Sequence, residues 1–303
     1  MKGLLGIEGL GRNAIERILE RAKDFQAVQH QPVKKFDILR GKMIVNLFFE
    51  SSTRTRTSFE IAAKRLGADA VSITASGSSV SKGESLVDTL NTLGAMRPNA
   101  IVMRHAASGA PHFLARYLPT PIINAGDGTH EHPTQALLDA RTILDHRASL
   151  EGLHVAIIGD IAHSRVARSN LHLLSKFGAR VVLCGPPALL PRELAQLASG
   201  VELTHDMKQA ISGADVIMML RVQLERQHET PFPPNEYFRF YGLRLEHISL
   251  AKPDVLVMHP GPINRGRELS SEVADSQRSV ILNQVENGVA VRMAVLEKVL
   301  NEE

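Results

Sequence analysis

Short runs of aliphatic and β-branched residues alternate with stretches of helical periodicity along the whole chain, and few folds satisfy that alternation. In the first half, residues 43–49 (MIVNLFF), 70–73, 100–104 and 121–125 read as strands. Ile15, Ile18, Leu19 and Ala22 mark an early helix. A second helix is expected over 53–66, closed by Gly67 at its C-terminal cap, with others over 86–93 and from 133 to about 146. The pattern then restarts. Residues 154–160, 180–184, 216–220 and 255–259 read as strands, 164–177 as a helix, and 280–300 as a long apolar helix expected to bend near Asn287 and Gly288. The fold class is α/β, with two doubly wound parallel sheets, Rossmann-like, joined by helices. A chain of 303 residues fits two domains, and the boundary is expected near 149–152.

Composition removes several classes of function. Lys plus Arg number 35 against 32 Asp plus Glu, and there is no basic run of five or more, so a nucleic-acid footprint is not expected. No apolar stretch approaches the ~20 residues that span a bilayer, and the N-terminus, which carries acidic residues and turns into an amphipathic helix, does not read as a signal peptide. The single cysteine, Cys184, lies in the apolar run VVLC and reads as a buried, inert thiol. With no disulfide framework or Cys-rich zinc site available, a reducing cytoplasm is the expected location.

The chemistry is local. Ser51-Ser52-Thr53-Arg54-Thr55-Arg56-Thr57 falls between a buried strand and a helix, where unpaired backbone N–H groups and the positive dipole end favour anions. A Ser/Thr cap with solvated arginines explains one hydroxyl there. It leaves four more hydroxyls and two arginines unexplained, so an oxyanion or phosphate site is the better reading, although the Walker pattern is absent. The Gly/Ser stretch 76–85 presents Lys82, either as an ordinary surface loop or as a loop that closes over an anion. His132-Pro133-Thr134-Gln135 places Pro at a first helical position, where the helix dipole disfavours imidazolium; a neutral imidazole there could polarise a carbonyl, or merely cap the helix. His130-Glu131-His132 does not have H-E-x-x-H spacing, and Pro133 interrupts the face, so no metal is expected. In the second half, Gly159-Asp160-Ile161-Ala162-His163-Ser164-Arg165 lacks the glycines of a dinucleotide fingerprint. Arg165 and Arg221, with Gln223 two residues on, fall at sheet-edge junctions. They suit a substrate with two carboxylates, unless they are ordinary surface arginines. His259-Pro260-Gly261-Pro262 ends another strand.

Taken in order, SSTRTR, HPTQALLD, GDIAHSRVARS, LRVQLER and HPGPINRG resemble the aspartate carbamoyltransferase family over nearly the whole chain. Ornithine carbamoyltransferases share the first two motifs, but their Cys-containing second-half motif is absent. The resemblance implies that residues 1–150 bind carbamoyl phosphate and 151–279 bind L-aspartate, with the helix of about 280–303 packing back on the first domain. It implies that Ser52, Thr53, Arg54, Thr55 and Arg104 hold the phosphate and carbamoyl groups, and that His132 and Gln135 address the carbamoyl end. Arg54, Thr55, Arg104 and His132 would be catalytic. Ser78 and Lys82 would reach a neighbouring subunit's site, Lys82 towards both substrates. Arg165, Arg221 and Gln223 would bind aspartate, and the backbone of Gly261 and Pro262 would meet the carbamoyl amide; some relatives carry Leu where this chain has Gly261. No cofactor is implied. A homotrimer is, with dihydroorotase or regulatory chains as possible further partners. The competing readings are an ornithine carbamoyltransferase, a dinucleotide-dependent oxidoreductase and a non-catalytic binding subunit.

Overall fold

The computed structural model describes residues 3–74, 85–222 and 234–301. They form two compact units, one of Met1–Arg141 with Val285–Glu303 and one of Thr142–Gln284. The first is built on a parallel sheet of β1 (Gly3–Leu4), β2 (Met43–Phe48), β3 (Asp69–Thr74), β4 (Ala100–His105) and β5 (Ile122–Asp127), ordered β1-β5-β4-β2-β3. The second has β6 (His154–Ile158), β7 (Arg180–Cys184), β8 (Val201–Thr204), β9 (Val216–Met219) and β10 (Leu256–Met258), also parallel and ordered β10-β9-β6-β7-β8.

The runs became strands because both their faces are covered. β2 is buried from Ile44 to Phe48, β6 throughout and β9 throughout, so none shows the alternation of a half-exposed strand. The helix Thr53–Arg65 buries Thr55, Phe59, Ala62 and Ala63, one stripe at helical spacing. It ends at Gly67, whose φ of +83° suits glycine and whose missing side chain admits the Phe36 carbonyl. In the second unit Ala156, Ile158, Val182, Cys184, Ile217, Met219 and Val257 share one core with the helix Met207–Ile211.

At two places the structure adds to the sequence reading. The C-terminal helix Ile281–Asn301 passes through Asn287 and Gly288 as one helix. A Cβ on Gly288 would crowd the guanidinium end of buried Arg292, which donates to the Gly288 carbonyl at 3.0 Å. β1, β8 and short helices such as Pro234–Tyr241 also escaped the sequence reading, because two to eight residues carry too little periodicity.

The strand orders decide where ligands can collect. In the first sheet the chain builds outward from β2 to β3 on one side and through β4 and β5 on the other. The order therefore reverses between β2 and β4. In the second sheet it reverses between β6 and β9. Beyond the carboxyl ends of such strand pairs, the diverging connections leave a crevice.

Candidate active site

The turn after β2 opens the first crevice. Ser52 stands at the N-cap of Thr53–Arg65 in extended conformation, yet its side chain makes no capping hydrogen bond. Elsewhere Ser85, Ser164 and Ser270 do cap their helices. Hydroxyl capping therefore does not account for Ser52. No carboxylate lies in the first turn of the helix to neutralise its positive end. Thr53 and Arg54 are exposed and Thr55 is buried, so the turn offers a graded set of donors. Arg104 joins it by register, since Phe48 of β2 pairs with Arg104 near the end of β4. Its guanidinium is held by Glu50 at 3.2 Å and reaches the Ala125 carbonyl of β5 at 3.5 Å. Both side chains of the pair are largely shielded, at 15% and 20% exposure, so the carboxylate aims the arginine with little competition from water.

His132 follows β5 on the same edge. Its carbonyl accepts from Gln135 and Ala136 N–H, so it is the capping residue of Pro133–Leu144, another helix without a first-turn acid. The loop before it is rigidly built. Asn124 donates to the Leu5 carbonyl at 2.9 Å and to Asp127 at 2.8 Å, and buried Glu131 accepts from Ile7 and Glu8 N–H at 2.8 and 3.1 Å. Gln135, also buried, donates its amide to Asp139 at 2.9 Å. Asp139 is in turn coupled to Arg292. Burial pulls that guanidinium down to about 10, so it stays charged at neutral pH while donating to Ser58 at 2.9 Å.

The second crevice holds the other arginines. Arg165 opens the helix Arg165–Lys176 behind β6, and Arg221 lies just past β9, in register with β6 through Ile158 and Met219. Gly159, at φ +138°, lets these strand ends approach, because a Cβ there would meet Leu220 at 3.0 Å. Beyond β10, buried His259 accepts from Gly261 N–H at 2.8 Å through Nδ1. Gly261 itself has φ +66° and precedes a cis peptide to Pro262. Ser78, Lys82 and Gln223 lie outside the described residues.

Residues 2–145 match the family model for the aspartate/ornithine carbamoyltransferase carbamoyl-P binding domain, and 151–299 match that for the Asp/Orn binding domain. The chain belongs to the aspartate/ornithine carbamoyltransferase family. It is 83% identical over 298 residues to the aspartate carbamoyltransferase catalytic subunit of Solibacter usitatus, covering 98% of this chain and 99% of the relative. The corresponding Geobacter sulfurreducens subunit is 56% identical over 296 residues, covering 97% and 95%. Ornithine carbamoyltransferase from Pyrococcus furiosus superposes with a TM-score of 0.91 at 32% identity, covering 99% of this chain and 97% of that one. Aspartate transcarbamoylase from Trypanosoma cruzi, in complex with carbamoyl aspartate and phosphate, gives 0.90 at 32% identity, covering 98% and 95%.

Within this carbamoyltransferase fold, the sequence reading missed the residues that hold the site rather than line it. Glu50 and Asp139 are two. Glu268 is the third. Fully buried, it accepts from Val222 N–H at 3.2 Å, Asn264 N–H at 2.8 Å and the Asn264 side-chain amide at 2.9 Å. It thereby ties the loop after Arg221 to the turn after Pro262. Burial pushes its carboxyl above the usual range despite those three donors. No periodicity marks such a residue; its only sequence signal is an acid closing the HPGPINRGRE turn.

Proposed function

We propose that this protein transfers the carbamoyl group of carbamoyl phosphate to the amine of L-aspartate, giving N-carbamoyl-L-aspartate and phosphate in pyrimidine biosynthesis. One observation carries the choice of amino acid: Arg165 opens the helix that follows β6, and Arg221 lies just past β9, the strand paired with β6. Two guanidiniums suit the two carboxylates of aspartate and repel the cationic side chain of ornithine.

In this reading Ser52, Thr53, Arg54 and the unneutralised helix end hold the phosphate. Gln135 and the Gly261 carbonyl accept from the carbamoyl –NH2, with Pro262 shaping the turn. The neutral amine attacks the carbonyl carbon, a C–N bond forms, and negative charge grows on the carbonyl oxygen. Thr55, Arg104 and His132 are the donors set to receive that charge, each such donor being worth about 3–4 kcal/mol. The C–O bond to phosphate then breaks, and the departing phosphate takes the amine proton. Lys82 and Ser78, by resemblance, complete the site of a neighbouring subunit in a homotrimer, and Gln223 assists Arg221. The domain roles follow the same division, residues 1–150 for carbamoyl phosphate and 151–279 for aspartate. A cytoplasmic location is consistent with these substrates and with the single buried cysteine. Among the described residues, no helix is long and apolar enough to cross a membrane.

The test is a carbamoylation assay with aspartate and ornithine side by side. Product from aspartate alone is expected; turnover of ornithine at equal or higher kcat/KM would overturn the assignment.

A further inference from the structure

Spacing within one stretch disfavours a metal at His130-Glu131-His132, but the fold brings a ligand to His130 from elsewhere in the chain. Among the described residues, one set of His, Cys, Asp or Glu side chains converges closely enough to hold an ion. In His112, Asp127 and His130, the ligand atoms all lie within 4.8 Å of one another. His112 is on the short helix Ala110–Leu114, and Asp127 ends β5. The imidazoles of His112 and His130 meet edge to face at 5.3 Å, and His130 Nδ1 lies 3.0 Å from Asp127 Oδ2.

The plain alternative is an Asp–His ion pair. It accounts for His130 but not for His112, whose Nδ1 is shielded from solvent and has no hydrogen-bond partner. Asp127 is also prepared beyond what such a pair needs. Fully buried, it accepts from Asn124 and Glu131 N–H on Oδ1 and from Gly109 N–H on Oδ2. These bonds fix the carboxylate and would serve as outer-sphere support for a ligand.

We propose that His112, Asp127 and His130 form a binding site for a first-row divalent transition ion of the zinc class, distinct from the carbamoyl phosphate and aspartate sites. Two imidazoles and one carboxylate are a donor set that zinc accepts, and three protein ligands leave a fourth position for water or an added ligand. Tetrahedral zinc separates its ligand atoms by roughly 3.3 Å. The Asp127–His130 pair, at 3.0 Å, already has about that spacing, and the His112 ligand atom lies within 4.8 Å on the third side. The anchored carboxylate stays in place. Because Asp127 also accepts the N–H of Glu131, the residue before His132, an ion here bears on the start of the Pro133–Leu144 helix.

The experiment is titration of the metal-free protein with zinc by calorimetry, together with the visible d–d absorption of a cobalt(II) complex. Wild type, His112→Ala, His130→Ala and the double variant are compared. One zinc per chain is expected, with affinity falling about tenfold or more in each single variant and the tetrahedral cobalt spectrum lost in the double variant. The chain has 13 histidines, so binding that survives equally in the double variant would assign the ion to others and overturn the site. Absence of zinc binding by wild type would overturn it too, as would dependence on His130 with none on His112.

Discussion

Replacing Glu268 by Gln keeps its volume and removes one acceptor. Its Oε1 takes Val222 N–H and the Asn264 side-chain amide, and its Oε2 takes Asn264 N–H at 2.8 Å. In Glu268→Gln the carbonyl can serve the first two, so the new –NH2 faces the Asn264 N–H, donor against donor. The flipped amide is worse, because it faces two donors. One buried N–H therefore loses its partner, a cost of about 1–3 kcal/mol. Part of that strain is relieved if the 264 turn and the loop after Arg221 move apart, and both belong to the proposed substrate site. At about 1.4 kcal/mol per tenfold the whole cost would be roughly 5- to 150-fold, so the KM for aspartate is expected to rise within that ceiling. The assay is steady-state kinetics in aspartate at saturating carbamoyl phosphate. The inhibition constant of inorganic phosphate serves as a control, because the proposed site for that anion lies in the first unit and its constant should not move. Stability adds a second reading. A carboxyl whose folded pKa is raised takes up its proton more readily in the native than in the unfolded state. Its contribution is full below the unfolded pKa and is lost as pH rises through the raised folded value. The Tm difference, wild type minus Glu268→Gln, should therefore grow as pH falls from neutrality towards the ordinary carboxyl range. A variant with lowered Tm but unchanged aspartate KM and kcat would refute the clamp and leave Glu268 a structural residue.

Other outcomes follow from the same geometry. His132→Ala should lower kcat more than it weakens carbamoyl phosphate binding, since its donor matters most as oxygen charge develops; a change confined to KM would reduce it to a binding residue. Arg221→Ala should raise the KM for aspartate and leave phosphate inhibition intact, and an equal loss of both would contradict the division of labour between the units. Arg54→Ala and Lys82→Ala should each be nearly inactive, with Arg54→Ala still folded because the side chain is exposed. Their reassembled mixture should recover about one site in four if the trimer shares its sites, whereas mixed trimers without recovery would show single-chain sites. Cys184 is buried and its thiol is pushed up to about 12, so the native protein should resist alkylation at neutral pH; rapid modification without unfolding would contradict its packing.

The sequence by itself determined what depends on neighbours along the chain. A run such as 44–48 that is apolar on both faces must be covered on both, and a Ser/Thr/Arg turn between such a strand and a helix must present hydroxyls, guanidiniums and N–H groups together. HPTQ announced a helix start in the same way, and the helix begins there. Those signals live within one or two elements, where spacing alone fixes which side chains share a face. Only the tertiary structure decided which ends of which strands stand side by side. It put Arg104 beside Phe48 through the β2–β4 register, and Arg165 and Arg221 at one strand junction through β6 and β9. It also made Glu268 a common acceptor for two loops and drew His112 to Asp127 and His130. Strand order and register follow from the summed burial of many side chains over the whole sheet. A polar residue whose partners are chosen by that sum carries no periodic mark of its own, so in the sequence Glu268 and His112 look like any other surface residue.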